Sequence, residues 1–248
     1  YEICLLGQKA KKWDGIKILL FYGIIAFLGA YKLTDNLSTA VIILSITVVL
    51  IFVVHPKTKP FVAGVIAVGI VGIIGIICLK YTLAESDNFR MRRIIAWLNP
   101  EANADTDSYQ FLQGLYAIGS GGFFGKGLGN STQKLHAIPE AQNDMILAVI
   151  CEELGVFGAI LILCLFAFML YRLLFIARNA PDLYGSLVAT GIFAHIALQV
   201  TLNIAVVTGL LPNTGIPLPF ISYGGTAIVI LLAEMGIALG ISSKIRLK

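Results

Sequence analysis

Long apolar runs separated by short polar stretches dominate the chain, and the run lengths predict its elements. Six of them, at about 16–32, 36–54, 61–81, 144–171, 184–208 and 221–242, are long enough to cross a bilayer, which takes roughly 20 apolar residues in a helix. The expected fold is all-α: a polytopic membrane helix bundle. Only Lys32-Leu33-Thr34-Asp35-Asn36 separates the first two runs, which predicts a tight hairpin of antiparallel helices. Gly64, Gly69, Gly72 and Gly75 in the third run suit close helix packing. Between the third and fourth runs lies a long polar segment. The expected organisation is membrane helices over 1–81, a large loop over 82–143, and membrane helices over 144–248.

Composition supports that class. Of 248 residues, 58% are hydrophobic and 13% charged, with a mean hydropathy of +0.88; a soluble domain carries about twice that charge fraction. The net charge of +4 is therefore no nucleic-acid footprint, and no nucleic-acid partner is expected. The basic residues instead report orientation. With the N-terminus inside, the inner loops hold Lys9, Lys11, Lys12 and Lys17, then Lys57 and Lys59, Arg172 and Arg178, and Lys244, Arg246 and Lys248. The long loop 82–143 is then extracytoplasmic. Cys4, Cys78, Cys151 and Cys164 show no metal-ligand spacing and read as small hydrophobes. The first residue is Tyr and no signal-peptide pattern precedes the first run, so the chain is expected to be a fragment or to have lost its start.

The candidate chemistry gathers in and after the long loop. Asp144 stands where the loop turns into an apolar run. A carboxylate there is costly, because hydrocarbon cannot solvate it. Two readings stay open and are compatible: a helix N-cap, or a general base whose pKa apolar walls raise. Glu152 falls within about 80° of Asp144 on a helix and Glu153 points nearly opposite. His195, Gln199 and Asn203 form a polar stripe on the fifth run, and structural pairing of Glu152 and Glu153 with that stripe is expected. Within the loop, 90–98 reads as a short amphipathic helix and 109–118 as a second. The stretch Gly119-Ser120-Gly121-Gly122-Phe123-Phe124-Gly125-Lys126-Gly127-Leu128-Gly129-Asn130 does not match nucleotide phosphate-loop grammar. It reads either as a flexible turn or as a backbone approach to a sugar or pyrophosphate, with Lys126 supplying charge. Pro212, Pro217 and Pro219 preclude a regular helix before Phe220-Ile221-Ser222-Tyr223-Gly224-Gly225. That irregular backbone is expected either to line the same outward cavity as Asp144 or to form a re-entrant structural turn.

The chain resembles the SEDS family of bacterial cell-wall polymerases, the group of RodA and FtsW. The resemblance rests on several pieces in order: Arg93-Ile94-Ile95-Ala96-Trp97-Leu98-Asn99-Pro100, the stretch 121–129, and Pro139-Glu140-Ala141-Gln142-Asn143-Asp144 through Glu152-Glu153-Leu154-Gly155. Asn203-Ile204 and Gly215-Ile216-Pro217-Leu218-Pro219-Phe220-Ile221-Ser222-Tyr223-Gly224-Gly225 complete it. The family has about ten membrane helices, so the resemblance implies that an N-terminal part is missing. The division-type branch, similar to FtsW, is favoured over the elongation type. Asn36-Leu37-Ser38-Thr39-Ala40 and Met145-Ile146-Leu147 depart from the common family pattern.

What the resemblance implies is peptidoglycan glycosyltransfer from lipid II at the outer face of the bacterial cytoplasmic membrane. Asp144 aligns with the family's essential aspartate. It would act as base in an inverting transfer with undecaprenyl pyrophosphate as leaving group. Substrate-binding candidates are Arg90, Arg93, Lys126, Lys134, Glu140, Ser222 and Tyr223. The residues name no certain cofactor; a divalent cation, Mg or Mn, is compatible with a pyrophosphate leaving group, and its ligands are unknown. The expected protein partner is a class B penicillin-binding protein, a transpeptidase. Two alternatives from other classes are a lipid II flippase, with Glu152, Glu153, His195 and Glu234 as its polar route, and a non-catalytic scaffold for the cell-wall synthesis complex.

Overall fold

The computed structural model describes residues 4, 13–55, 63–64, 69, 89–103, 108–136, 138 and 140–245. Among them all regular structure is helical: α1 (Trp13–Thr34), α2 (Leu37–Val54), α3 (Phe89–Leu98), a 3-10 turn (Glu101–Asn103), α4 (Tyr109–Gly121), α5 (Thr132–His136), α6 (Ile146–Asn179), α7 (Leu183–Val207) and α8 (Gly225–Ser242). Five of these, α1, α2, α6, α7 and α8, are long and apolar enough to cross a membrane. The run expected at 61–81 lies almost wholly outside the described residues.

The chain divides into two compact units. The first comprises Tyr1–Phe61, Leu165–Val200 and Gly224–Lys248. Here α1 and α2 form the expected hairpin. Asp35 takes a left-handed φ of 49°, and the Asn36 side chain caps α2 by accepting from the amides of Ser38 (3.0 Å) and Thr39 (3.2 Å), which satisfies two otherwise orphaned donors. A Cβ at Gly23 would collide with Thr47, so the hairpin packs closely there. In the same unit, Ile176, Ala177 and Ala189 are buried against Ile241 and Ile245, and Ser186 Oγ donates to the Ala177 carbonyl at 2.7 Å. His195 of α7 meets both carboxylate oxygens of Glu234 of α8 through Nδ1 at 3.0 Å.

The second unit comprises Val62–Cys164 and Thr201–Tyr223. Helix α3 is tied to the segment after α7: Trp97 Nε1 donates to the Gly209 carbonyl (2.8 Å) and an Arg93 guanidinium nitrogen to the Asn213 carbonyl (3.3 Å). The buried Ser108 hydroxyl donates to the Ala96 carbonyl (2.8 Å), joining α3 to the start of α4.

Helix α6 is broken at Gly155, whose φ of 69° and ψ of −172° are not helical. In an unbroken helix the amides of Val156 and Phe157 would donate to the carbonyls of Glu152 and Glu153. All four groups instead find partners in the glycine-rich turn after α4. Val156 donates to Gly122 (3.0 Å) and Phe157 to Phe123 (3.1 Å), while Lys126 donates to Glu152 (2.9 Å) and Gly127 to Glu153 (2.9 Å). The backbones come so close that a Cβ at Gly121 would strike the Cys151 carbonyl. One at Gly125 would strike the Glu153 carbonyl, and one at Gly155 the backbone of Gly125 and Phe123. The glycines thus let the turn substitute, bond for bond, for the missing helical turn.

Candidate active site

Asp144 lies at the head of the arm that becomes α6, and the backbone leading to it is held from two sides. Asn203 of α7, itself buried, donates through Nδ2 to the Asp144 carbonyl and to the Ile216 carbonyl, both at 2.8 Å. Ser222 Oγ donates to the Asn143 carbonyl (2.6 Å) while accepting from the Leu218 amide (2.7 Å). The Tyr223 amide donates to the Gln142 carbonyl (2.9 Å). The proline-rich stretch therefore serves as the wall on which 142–144 is mounted. Left-handed φ angles at Glu140 (48°) and Phe220 (63°) sharpen the two turns. The turn closed by the Ser222 amide on the Leu218 carbonyl and the extended Gly224 (φ 168°) put the start of α8 at Gly225, where the apolar pattern suggested 221.

The Asp144 carboxyl is half-buried and thinly bonded. Gln110 Nε2 of α4 stands 3.5 Å from Oδ1, and the Asn213 side chain and the residue's own amide give further support. Gln110 is in turn oriented by Asn213, whose Nδ2 donates to its Oε1 at 3.2 Å. Burial pushes the Asp144 pKa above its ordinary 3.8, more than its own amide, the positive charge of Arg93 and the Asn213 side chain pull it down; Glu140 adds to the rise. Among the described residues no amide of the first turn of α6 donates to the carboxylate, so the N-cap reading finds no bond to carry it.

Eight residues further along the chain, Glu152 presents the opposite picture. It is fully buried. Lys126 Nζ reaches Oε1 at 2.6 Å, the hydroxyl and amide of Thr132 at 3.0 and 3.3 Å, and the Gln133 amide reaches Oε2 at 3.3 Å. The Ser131 hydroxyl donates to Oε2 and Ser120 Oγ lies 3.4 Å from Oε1. This is a correction to the expected pairing of Glu152 with the α7 stripe: its partners come from α4, the glycine-rich turn and the start of α5. His195 turns to Glu234 instead, Asn203 to backbone carbonyls, and Gln199 lies half-buried between them. The Glu153 carbonyl joins the stitched turn, and its Oε1 is buried with no hydrogen-bond partner among the described residues.

Of the substrate-binding candidates, Lys126 is committed to Glu152, its side chain one-third exposed. The glycine-rich stretch approaches the protein's own helix, which takes the amides of Lys126 and Gly127. Lys134 is exposed, as is Glu140, which accepts from Asn143 Nδ2 at 2.7 Å. Arg93 acts on Asp144 through its charge. Ser222 is buried in the wall, whereas the Tyr223 side chain is exposed. The side chain of Arg90 lies outside the described residues. Among the described residues no three His, Cys, Asp or Glu side chains converge as a metal site would need. Gln110 and Asn213, which touch Asp144, were not among the sequence candidates. Their only signal is an amide at the start of a mostly apolar helix and another between prolines.

The family model for cell cycle proteins of the FtsW/RodA/SpoVE type matches residues 6–247. Stage V sporulation protein E of Bacillus subtilis is 44% identical over 207 residues, covering 84% of this chain and 54% of that protein. A probable peptidoglycan glycosyltransferase FtsW of Geobacter sp. (strain M18) is 37% identical over 220 residues, covering 89% of this chain and 58% of that one. The chain thus spans a little over half the length of these relatives. Two solved structures share the fold at 22% identity. One, described as showing structural coordination of polymerization and crosslinking by a peptidoglycan synthase complex, gives a TM-score of 0.69 over 93% of this chain and 62% of that chain. The other, an Asp-to-Ala mutant of the rod shape determining protein RodA of Thermus thermophilus, gives 0.58 over 94% and 58%.

Proposed function

This chain belongs to the FtsW/RodA/SpoVE family of cell cycle proteins, and from that premise we propose that the protein polymerises lipid II, with Asp144 as general base. The acceptor is the C4 hydroxyl of the N-acetylglucosamine on one lipid II. As its oxygen attacks C1 of the donor's N-acetylmuramic acid, its proton passes to Asp144. The C1–O bond to undecaprenyl pyrophosphate breaks, with inversion, and the leaving group departs with the electron pair.

The observation that carries this reading is the state of Asp144: a mounted backbone, a half-buried carboxyl and a raised pKa. A base with a raised pKa holds a proton more readily once it is ionised. Gln110 and Asn213 hold the carboxyl's orientation without saturating it. Arg93 stands near with positive charge, and Arg90 and Lys134 are further cations for the pyrophosphate. Relatives named as probable peptidoglycan glycosyltransferases support the reaction class. The site would face the outer side of the cytoplasmic membrane, where lipid II is consumed. A class B penicillin-binding protein is the proposed partner, supported by the similar fold found in a peptidoglycan synthase complex.

The test is reconstitution of the full-length protein in vesicles with fluorescent lipid II. Polymerised glycan supports the polymerase. Translocation of lipid II across the bilayer without polymer would overturn it in favour of the flippase. Neither product, with the transpeptidase still stimulated, would favour the scaffold.

A further inference from the structure

The glycine-rich turn carries three large apolar side chains on its outside: Phe123 is 58% exposed, Phe124 78% and Leu128 76%. The two rings pack edge to face with centroids 4.9 Å apart, so they form one patch. Such a patch facing water is a liability in any protein. Its setting says what covers it.

Past the break at Gly155, α6 continues as helix from Val156 to Asn179, about 36 Å, still longer than a hydrocarbon core of about 30 Å. The chain marks which part fits. From Leu154 to Tyr171 no Asp, Glu, Lys or Arg occurs, while Glu152 and Glu153 stand before this stretch and Arg172 after it. Its helical part beyond the Gly155 break, Val156 to Tyr171, is about 24 Å long, close to the hydrocarbon thickness. The boundary on the Asp144 side thus falls at the Gly155 break, where the glycine-rich turn is stitched on. Val156, Phe157, Ile160 and Leu161, which open the apolar stretch, are exposed, as a lipid-facing surface is. The bonds from Val156 to Gly122 and from Phe157 to Phe123 make the aromatic turn a lateral continuation of that surface.

We infer that Phe123, Phe124 and Leu128 insert into the leaflet on the Asp144 side, making the turn 122–129 an interfacial anchor whose partner is bilayer lipid. The segment is then no free lid over the bundle. It fixes the level of the broken helix in the membrane, with the Lys126–Glu152 pair at the headgroups and Asp144 further from the hydrocarbon along the chain. The inference stands apart from any catalytic role of Asp144, and its readout needs no turnover.

The experiment places a tryptophan at the patch (Phe124→Trp, and separately Leu128→Trp) in the full-length protein in vesicles, with Ile160→Trp on the span as a control for insertion. The emission added over that of the native tryptophans is read with chain-brominated lipid and with aqueous acrylamide. Bromolipid should quench the added emission at Phe124→Trp and Leu128→Trp by about twofold or more, with little effect of acrylamide. Quenching by acrylamide alone, in vesicles where Ile160→Trp is quenched by bromolipid, would place the turn in water and overturn the inference. Protection from both quenchers would mean that protein covers the patch, and would overturn it equally.

Discussion

Asp144 and Glu152 sit on the same arm of the chain, eight residues apart, and are treated by the fold in opposite ways. Glu152 is wrapped by an ammonium, hydroxyls and amides from three segments, with 0% of its surface exposed. Asp144 keeps a long contact to Gln110 and a pKa raised by burial. Saturating a buried carboxylate stabilises a fold and removes its basicity. Leaving one half-satisfied strains the fold and keeps the group available. The comparison assigns structure to the first acid and proposes chemistry for the second.

Four substitutions test that contrast. Asp144→Asn should lower lipid II polymerisation by about a thousandfold, the loss of a general base. The variant should melt at or above the wild-type temperature at neutral pH. The sign follows from the raised pKa: the stability tied to protonated Asp144 is complete below 3.8 and is lost as pH rises through the folded value. Asn escapes that loss. Glu152→Ala should do the reverse. It strands Lys126 and several donors and should destabilise by about 3 kcal/mol, a figure held down by the one-third exposure of Lys126. A thermal melt in detergent reads it, and a variant as stable as wild type would remove Glu152 from its structural role. Gly155→Ala forces a side chain onto a φ of 69° and into the backbone of Gly125. A loss of about 2 kcal/mol is expected in the same melt. The mildest change is Gln110→Ala. It removes a donor to the ionised carboxylate, so the Asp144 pKa should climb further, the acid limb of activity should move to higher pH, and the rate should fall several-fold, by about 1 kcal/mol.

The spans were legible because apolar run length is a strong signal, and α1, α2, α7 and α8 begin and end within a few residues of where the pattern places them. Asp144 stood out as a candidate because it is a charge at the head of an apolar run, but that pattern fits a helix N-cap as well as a base. The break in α6 was not: Leu154-Gly155-Val156 continues an apolar run, and a lone glycine there is a weak signal. Its consequence, the Lys126–Glu152 bond, joins residues 26 positions apart through a backbone stitch that no periodicity encodes. Sequence reasoning therefore paired Glu152 with the wrong elements. Gln110 and Asn213 escaped notice because a neutral amide carries no burial penalty large enough to mark it. The helical part of α6 also runs on to Asn179, past the end of the apolar stretch near 171, since beyond the bilayer Arg172 and Arg178 are as content in a helix as in a loop.

The most direct test of the central claim is the pH dependence of lipid II polymerisation by the wild-type protein. If Asp144 is the base, it must be ionised to work. The rate should then fall on acidification through a limb lying above the ordinary aspartate value of 3.8, and that limb should shift in Asp144→Glu. A rate that stays level down to that value, in protein shown to remain folded, would contradict the account.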